Sequence, residues 1–305
     1  MTATVGALLL AGTNRLRAAG SETPRLDAEL LLGNALGIDR TGVLAHPDAP
    51  VGDGQAATYE AALGRRESGE PVAYIRGLKE FYGLVFSVDP RALIPRPETE
   101  GLVELTVERV REALVGAPRG VDAPPLRIWD VGTGSGAIAI AVTITLGRRG
   151  YGGYFRVLAS DVSRDALAVA IENAVGHGVA DVIDFATGDL LEVDPPAQLP
   201  VDLLVANLPY IPSGTVPDLP VAASFEPRLA LDGGPDGLDL VRRLLAALPA
   251  ALAPTGSALL EIGADQAGPL AAALAESLPG WSATIHPDLS GQPRVAELVP
   301  PRPTP

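Results

Sequence analysis

The sequence predicts an α/β protein: a Rossmann-like domain with a seven-stranded sheet, preceded by a small helical domain and a β-hairpin linker. The first observation is a repeat of strand, glycine loop and helix that begins near residue 125. The second is the N-terminal part, residues 1–70, which carries helix signals and no competing strand pattern. The third is a pair of short apolar runs, punctuated by glycine, between these two parts.

The helical domain, residues 1–70, is predicted from its helix starts and its apolar spacing. Thr23-Pro24 is predicted to be a capped helix start, with Thr23 as the cap and proline at the favoured first helical position. Leucines recur on one face behind it. A further helix is predicted over about 55–68, and it ends before Gly69.

Residues 71–95 are predicted to form the hairpin linker. The runs Pro71–Gly77 and Phe81–Val88 have the composition of strands interrupted by glycine. In the segment Ile94–Glu100, two prolines hold the backbone extended and acidic residues open a helix. This segment is either a plain linker with a helix start or one wall of the substrate pocket of the Rossmann-like domain, residues 96–305.

Seven apolar runs in the Rossmann-like domain are predicted to be the strands of one sheet. The last two are separated by Asp288–Gly291, which is too short for a crossover helix, so this pair should be antiparallel. The proline-rich tail, 300–305, is predicted to be disordered. The predicted strands are 126–131, 155–160, 182–186, 201–206, 258–262, 282–285 and 294–299.

Composition restricts the kind of partner and site. The 305 residues include 37 acidic and 23 basic ones, and the formal charge of -14 suits a basic protein partner better than a phosphate backbone. There is no cysteine, which excludes disulfides, thiolate metal sites and a Cys nucleophile, and the three histidines are scattered, so we assign no metal. The run Leu8–Leu10 is too short for a signal segment or a membrane span, so we expect a soluble cytoplasmic protein.

A glycine loop follows the first strand of the Rossmann-like domain. It runs from Gly132 to Gly136 and opens a helix, so its backbone can approach a ligand closely at a helix N-terminus. Gly132, Gly134 and Ala137 also satisfy the dinucleotide pattern G-x-G-x-x-G/A, so this spacing does not exclude NAD. A purely structural glycine loop is the plain alternative.

Acidic residues at three strand ends favour S-adenosylmethionine over NAD. Asp130, just before the glycine loop, would oppose a pyrophosphate but could pair with a cationic amino acid group. Asp161 can bind ribose hydroxyls, although it lies further along the chain than its counterpart in dinucleotide folds. Asp189 and Leu190, at the end of the third strand, would then flank the adenine.

The fourth strand ends in Asn207-Leu208-Pro209-Tyr210, which suits chemistry at a planar nitrogen. Ligands of open α/β sheets bind outside the carboxyl ends of the strands, so Asn207 stands at the rim of a pocket. Its side-chain oxygen and a main-chain carbonyl held by Leu208-Pro209 could accept both N–H bonds of a substrate NH2 group. Tyr210 could stack on the flat group that carries this nitrogen. The alternative is a strand that ends in an ordinary turn.

The glycine loop and Asn-Leu-Pro-Tyr together resemble class I methyltransferases that modify amide or exocyclic amino nitrogens, whose signature is Asn/Asp-Pro-Pro-Tyr. Leu208 replaces the first proline but leaves the backbone carbonyl in place. The same tetrapeptide is familiar from adenine-N6 methyltransferases of ribosomal RNA, so it leaves two substrate classes open. Wider segments, covering nearly the whole chain, resemble the release-factor glutamine methyltransferases (PrmC/HemK family): Arg25–Leu31, Pro71–Gly77, Phe81–Leu84, Ile94–Glu100, Glu226–Leu231 and Asp288–Gly291 with Arg294.

This resemblance implies transfer of a methyl group from S-adenosylmethionine to the side-chain nitrogen of the glutamine in a Gly-Gly-Gln loop. The catalytic and substrate-holding residues it implies are Asn207, Leu208, Pro209 and Tyr210. From the proline-fixed segment we add Pro97 and Glu100 to the substrate pocket. Leu190 stands where the family often has an aromatic residue. The cofactor contacts that the resemblance implies are Gly132, Thr133, Gly134, Ser135, Gly136, Asp161, Leu190 and Asn207, and the strand-end argument adds Asp130 and Asp189.

The implied partner is a peptide chain release factor. A glutamine side chain alone offers little binding surface, so we assign substrate recognition to the helical domain 1–70. We expect a monomer with no direct nucleic-acid contact and no membrane contact. One rival is an RNA adenine methyltransferase acting on a flipped base, which the charge of -14 disfavours. The other is a cofactor-binding regulator without catalysis, which the presence of Asn207, Pro209 and Tyr210 disfavours.

Overall fold

The computed structural model describes residues 3–116 and 124–301, so the predicted disordered tail lies outside the described residues from 302 onward. By its internal contacts the chain forms two compact units. The first comprises Met1–Leu78 and Leu219–Phe225, and the second comprises Lys79–Asp218 and Glu226–Pro305. Within the described ranges, no helix is long and apolar enough to cross a membrane.

The first unit is helical, as the sequence predicts. Its core is a cluster in which Leu16, Leu31, Leu32, Tyr59 and Leu63 are completely buried. Burial of such side chains contributes roughly 1.5 to 3 kcal/mol each, which is what holds short helices together. The helices are α1 (Val5–Ala18), α2 (Pro24–Leu36), α3 (Arg40–Ala45), α4 (Asp53–Glu67) and α5 (Val72–Arg76).

Two local expectations in this unit need correction. Helix α2 begins at Pro24 as predicted, but the Thr23 hydroxyl bonds to the carboxylate of Asp27 and does not cap the backbone. The run 71–77, predicted to be strand, is the single-turn helix α5. Pro71 starts this turn and Gly77, with φ of 72°, ends it in the left-handed conformation. A short apolar run bounded by proline and glycine does not distinguish a strand from one turn of buried helix.

The hairpin is confined to the second of the two predicted runs. Strands β1 (Leu78–Phe81) and β2 (Leu84–Ser87) form a two-stranded sheet. The residues between them, Tyr82 and Gly83, have φ of 52° and 68°. Two consecutive positive φ values are those of the tight turn that matches the twist of paired strands. A 3-10 turn at Pro97–Thr99 then leads into α6 (Glu100–Gly116).

The second unit contains an eight-stranded sheet in the order β6-β5-β4-β3-β7-β8-β10-β9. All seven predicted strands are present, and the final pair is antiparallel as predicted. The strands are β3 (Leu126–Val131), β4 (Phe155–Asp161), β5 (Ile183–Asp189), β6 (Glu192–Asp194), β7 (Val201–Ala206), β8 (Leu252–Glu261), β9 (Ser282–Pro287) and β10 (Pro293–Val299). The remaining helices are α7 (Ala137–Arg148), α8 (Arg164–Gly176), α9 (Asp239–Ala251) and α10 (Ala267–Ser277).

Strand β6 is the one element of this sheet that the sequence did not predict. It has three residues, two of them acidic, and pairs antiparallel with β5 at the edge of the sheet. The pairing depends on Gly188, where an added Cβ would lie 2.1 Å from the Glu192 carbonyl oxygen. A composition of this kind carries no strand signal, and the contact that creates the strand becomes visible only in three dimensions.

The order of the strands determines where a ligand can bind. From β3 the chain continues outward through β4 and β5, and it then returns to β7 on the other side of β3. Ligands of open parallel sheets bind at the carboxyl ends of the strands where the order reverses. The register pairs Val131 with Ala206, so the glycine loop and Asn207 emerge side by side at this point.

Candidate functional site

Three positions of the glycine loop have backbone conformations that glycine adopts without strain and other residues rarely adopt. Gly132, Gly134 and Gly136 have φ of 73°, 56° and 80°. An added Cβ at Gly136 would lie 3.1 Å from the Ala170 Cβ, so glycine also permits close packing of α7 on α8. The N–H groups of Gly132 and Thr133 donate to the carbonyl of Ser160 at 2.8 and 2.9 Å, which ties the loop to β4.

The structure places Asp130 behind the glycine loop and outside the cavity lining. Its side chain is buried, and one oxygen accepts from the Thr133 hydroxyl at 2.7 Å and the Ala139 N–H at 3.2 Å. Burial raises the pKa of Asp130 to about 7, against the hydrogen bonds that lower it. The other oxygen, Oδ1, has no hydrogen-bond partner within the described residues. These contacts give Asp130 the task of holding the loop, and we do not assign it a direct ligand contact.

Asp161, at the end of β4, lies in the cavity wall. Its two oxygens accept from the N–H groups of Gly134 and Ser163, both at 2.8 Å. Burial raises the pKa of Asp161, and these backbone donors lower it. Each carboxylate oxygen has a second lone pair, so Asp161 can accept further hydrogen bonds from hydroxyl groups in the cavity. The same contacts fix the tip of the glycine loop.

The wall at the end of β5 combines a charged and an apolar residue. Leu190 has φ of 54°, which is rare for a branched residue and turns the chain back toward β6 at the cavity edge. Asp189 also lines the cavity, and its carboxylate accepts from Arg243 at 2.7 Å in an exposed ion pair. The sequence did not indicate this arginine, because it lies on α9, far along the chain.

Asn207 stands at the opposite wall with its amide held in one orientation. Its Nδ2 donates to the hydroxyl of Thr99 at 3.1 Å, which leaves Oδ1 as the atom available to accept from a ligand. Leu208 is buried, and both Leu208 and Pro209 line the cavity beside Asn207. The cavity therefore brings Asn207 together with Gly132 and Asp161, as the order of the strands predicts.

Besides Asp130, four predicted site residues are absent from this cavity lining: Gly136, which packs against α8, and Tyr210, Pro97 and Glu100. Tyr210 follows Pro209, but its half-buried side chain is not among the lining residues, and its carbonyl accepts from Gln266 at 3.0 Å. Pro97 and Glu100 border a separate hollow between α6 and the β9–β10 hairpin. The Glu100 carboxylate accepts from the Tyr82 N–H at 2.9 Å, which anchors the hairpin turn.

Neighbours of Pro97 and Glu100 line the cavity instead. Thr99 and Arg96, from the same proline-fixed segment, line the cavity. Arg96 pairs with the buried carboxylate of Glu226, which also accepts from the Ile94 N–H at 3.2 Å. The sequence did contain signals for these wall residues. They are the repeated prolines of 94–100 and the motif that begins at Glu226.

The comparisons with known proteins agree with this architecture. The model of the PrmC N-terminal domain matches residues 7–77. A protein of Moorella thermoacetica named release factor glutamine methyltransferase is 41% identical over 92% of this chain and 93% of its own length. A protein of Deinococcus radiodurans with the same name is 38% identical over 94% of this chain and 95% of its own.

Among solved structures, the catalytic domain of hMettl16 in complex with a MAT2A 3'UTR hairpin has a TM-score of 0.53. The matched region covers 86% of this chain and 88% of the hMettl16 chain, at 18% identity. The two proteins therefore share a fold. The relatives named above show more, because their identity is high and extends over both units. This chain belongs to the family of release factor glutamine methyltransferases.

Proposed function

We propose that this protein transfers a methyl group from S-adenosylmethionine to the side-chain amide nitrogen, N5, of the glutamine in the Gly-Gly-Gln motif of peptide chain release factors. The observation that carries the proposal is Asn207, held by Thr99 beside the glycine loop at the reversal point of the sheet. The names and coverage of the relatives support the same substrate. A cytoplasmic monomer is the form in which we expect the enzyme to act.

The cavity residues fit S-adenosylmethionine. The loop Gly132–Gly136 lets the backbone approach the amino acid part closely, and Asp161 has free lone pairs for the ribose hydroxyls. Leu190 and Ile138 supply apolar surface for a flat base. When bound, the cofactor supplies a methyl group on a positively charged sulfur.

Asp161→Ala is expected to weaken binding of S-adenosylmethionine by about 1.5 to 3 kcal/mol, because a charged acceptor for hydroxyl groups is lost. That is roughly a tenfold or greater change in Kd. Titration calorimetry of both proteins measures it. Ser163 gives a comparison, since it meets Asp161 only through its backbone N–H and Ser163→Ala should change Kd far less. Equal affinity of Asp161→Ala and the unmodified protein would refute the ribose assignment.

The protein groups must compensate for a weak nucleophile. The lone pair of an amide nitrogen is delocalised, so the nitrogen has to be held in line with the methyl group and its developing charge stabilised. The Asn207 Oδ1 and the Leu208 carbonyl are the acceptors we assign to the two N–H bonds of the substrate. The proton can leave after transfer, so no strong base is needed. The assigned stacking of Tyr210 on the amide would require its ring to turn toward the cavity.

Transfer of labelled methyl groups tests the proposal and its rival together. The enzyme is incubated with labelled cofactor and either a release factor, the same factor with its Gly-Gly-Gln glutamine changed to glutamate, or ribosomal RNA. We expect label only in the unchanged release factor. Label in the RNA would instead support the adenine methyltransferase, whose substrate also presents a planar NH2 group.

A further inference from the structure

Glu261 is a buried carboxylate for which the mechanism so far gives no role. It is the last residue of β8 and only 3% exposed. Strand β8 runs beside β7, with Leu260 opposite Ala206, so Glu261 emerges next to Asn207. Its Oε2 has no hydrogen-bond partner within the described residues. An ionisable group is expensive to bury, and an incompletely paired one calls for a reason.

The neighbours of Glu261 are the residues that hold the Asn207 amide. Thr99 is 4% exposed, and its hydroxyl accepts from Asn207 Nδ2 at 3.1 Å. Hydrogen bonding by Thr99 and by Asn207 lowers the pKa of Glu261, so both side chains adjoin its carboxyl. A hydroxyl has one proton and can bond in either direction, whereas an ionised carboxylate can only accept. With the carboxylate ionised, Thr99 therefore donates to Glu261 and must accept from Asn207.

We propose that Glu261 is a positioning residue: through the Thr99 hydroxyl, its carboxylate fixes the Asn207 amide with the NH2 group inward and the oxygen free for the substrate. A reversed amide would present donors to a substrate NH2 group, which has no strong acceptor to offer them. The kinetic consequences of this inference rest on the proposed transfer to glutamine. The orientation of the amide rests only on the side chains of Glu261, Thr99 and Asn207.

The environment of Glu261 makes this device sensitive to pH. Burial raises the pKa of Glu261 to about 7, and Glu98 adds to the increase. Hydrogen bonding by Thr99 and Asn207 and the charge of Arg294 act in the opposite direction. Tyr210 also faces this group, and burial followed by the charge of Glu261 raises its own pKa. Above pH 7 the carboxylate fixes the direction of the hydrogen bonds, and below it the protonated carboxyl does not.

The side-chain NH2 resonance of Asn207 tests this without any turnover. In protein labelled with 15N-asparagine, the resonance is assigned by its loss in Asn207→Ala. We expect it to shift with pH with a midpoint of about 7, and to lose this titration in Glu261→Gln. A resonance that does not titrate, or that titrates equally in Glu261→Gln, overturns the proposal whether or not the protein methylates glutamine.

Kinetics at saturating cofactor supply the functional readout. We expect kcat to fall as pH drops through about 7, and Glu261→Gln to lack this dependence and to be about tenfold slower at pH 8. Saturation matters because Asp130, under the cofactor loop, also has a pKa raised by burial to about 7. Thr99→Val should match Glu261→Gln, whereas Thr99→Ser keeps the hydroxyl and should retain most of kcat. In all of these variants the Kd of the cofactor should stay within about twofold.

Thermal unfolding separates positioning from mere support of the fold. A carboxyl whose folded pKa is raised binds protons more tightly in the folded state, so it destabilises the fold as pH rises from about 4.5 to 7. Glu261→Gln should therefore unfold at the same or a higher temperature than the unmodified protein at pH 8. If kcat and the unfolding midpoint fall together, and Thr99→Ser is as slow as Thr99→Val, Glu261 is only structural.

Discussion

Replacing Asn207 with alanine is expected to lower kcat for methyl transfer about 10² to 10³-fold, the effect typical of losing one preorganised group at a reacting centre. The side chain is fixed by Thr99 at 3.1 Å and its oxygen is the acceptor we assign to the substrate amide. The measurement is single-turnover transfer to an intact release factor at saturating enzyme.

The cofactor affinity of the same variant decides what Asn207 does. Gly132 to Gly136 and Asp161 would remain in place, so Kd for S-adenosylmethionine should change much less than kcat. The double variant Asn207→Ala with Glu261→Gln should be no slower than Asn207→Ala, because Glu261 acts only through that amide. Parallel losses of affinity and turnover would make Asn207 chiefly a cofactor residue.

A chain that begins at Lys79 is expected to lose at least about tenfold of its activity on intact release factor, because contacts outside the pocket supply most of the binding energy for a large partner. Its activity on a short Gly-Gly-Gln peptide should stay within about twofold of the full chain. The glycine loop, Asp161 and Asn207 all belong to the unit that remains. The two activities are compared at equal concentrations of cofactor-competent protein.

Two controls accompany this truncation. Circular dichroism and cofactor binding establish that the sheet is folded. The segment Leu219–Phe225 belongs to the unit that is removed, and Val221 would lose its neighbour Gly69, so a second chain in which Val221 is also changed to serine limits aggregation. An equal loss on protein and peptide, with cofactor binding intact, would mean that residues 1–78 shape the active site and do not serve as the docking surface.

The sheet could be predicted because local pattern and global fold agree there. Six of the seven predicted strands are followed directly by a polar residue or glycine, as Val201–Ala206 is followed by Asn207. The short connection Asp288–Gly291 dictated the antiparallel pair. The same logic failed for 71–77 and for β6, where one turn of helix and three edge residues depend on contacts that a short window of sequence does not contain.

The residues of the candidate site that directly follow a strand could be predicted from the sequence. Gly132 to Ser135, Asp161 and Asn207 line one cavity because the carboxyl ends of parallel strands share one edge. The residues that orient them were not. Thr99 carries no chemical signature of its own, and Glu261 reads as an ordinary strand end until its burial and its neighbours are known. Pro97 and Glu100 were placed in the pocket, but the 3-10 turn directs Thr99 there instead.

Fragment mass spectrometry of a release factor treated with this enzyme and S-adenosylmethionine tests the central claim most directly. We predict one added methyl group, located on the side-chain nitrogen of the glutamine in the Gly-Gly-Gln motif and missing when Asn207→Ala is used for the same short incubation. An unmodified release factor after treatment with enzyme that binds the cofactor, or a methyl group on any other residue, would contradict the account.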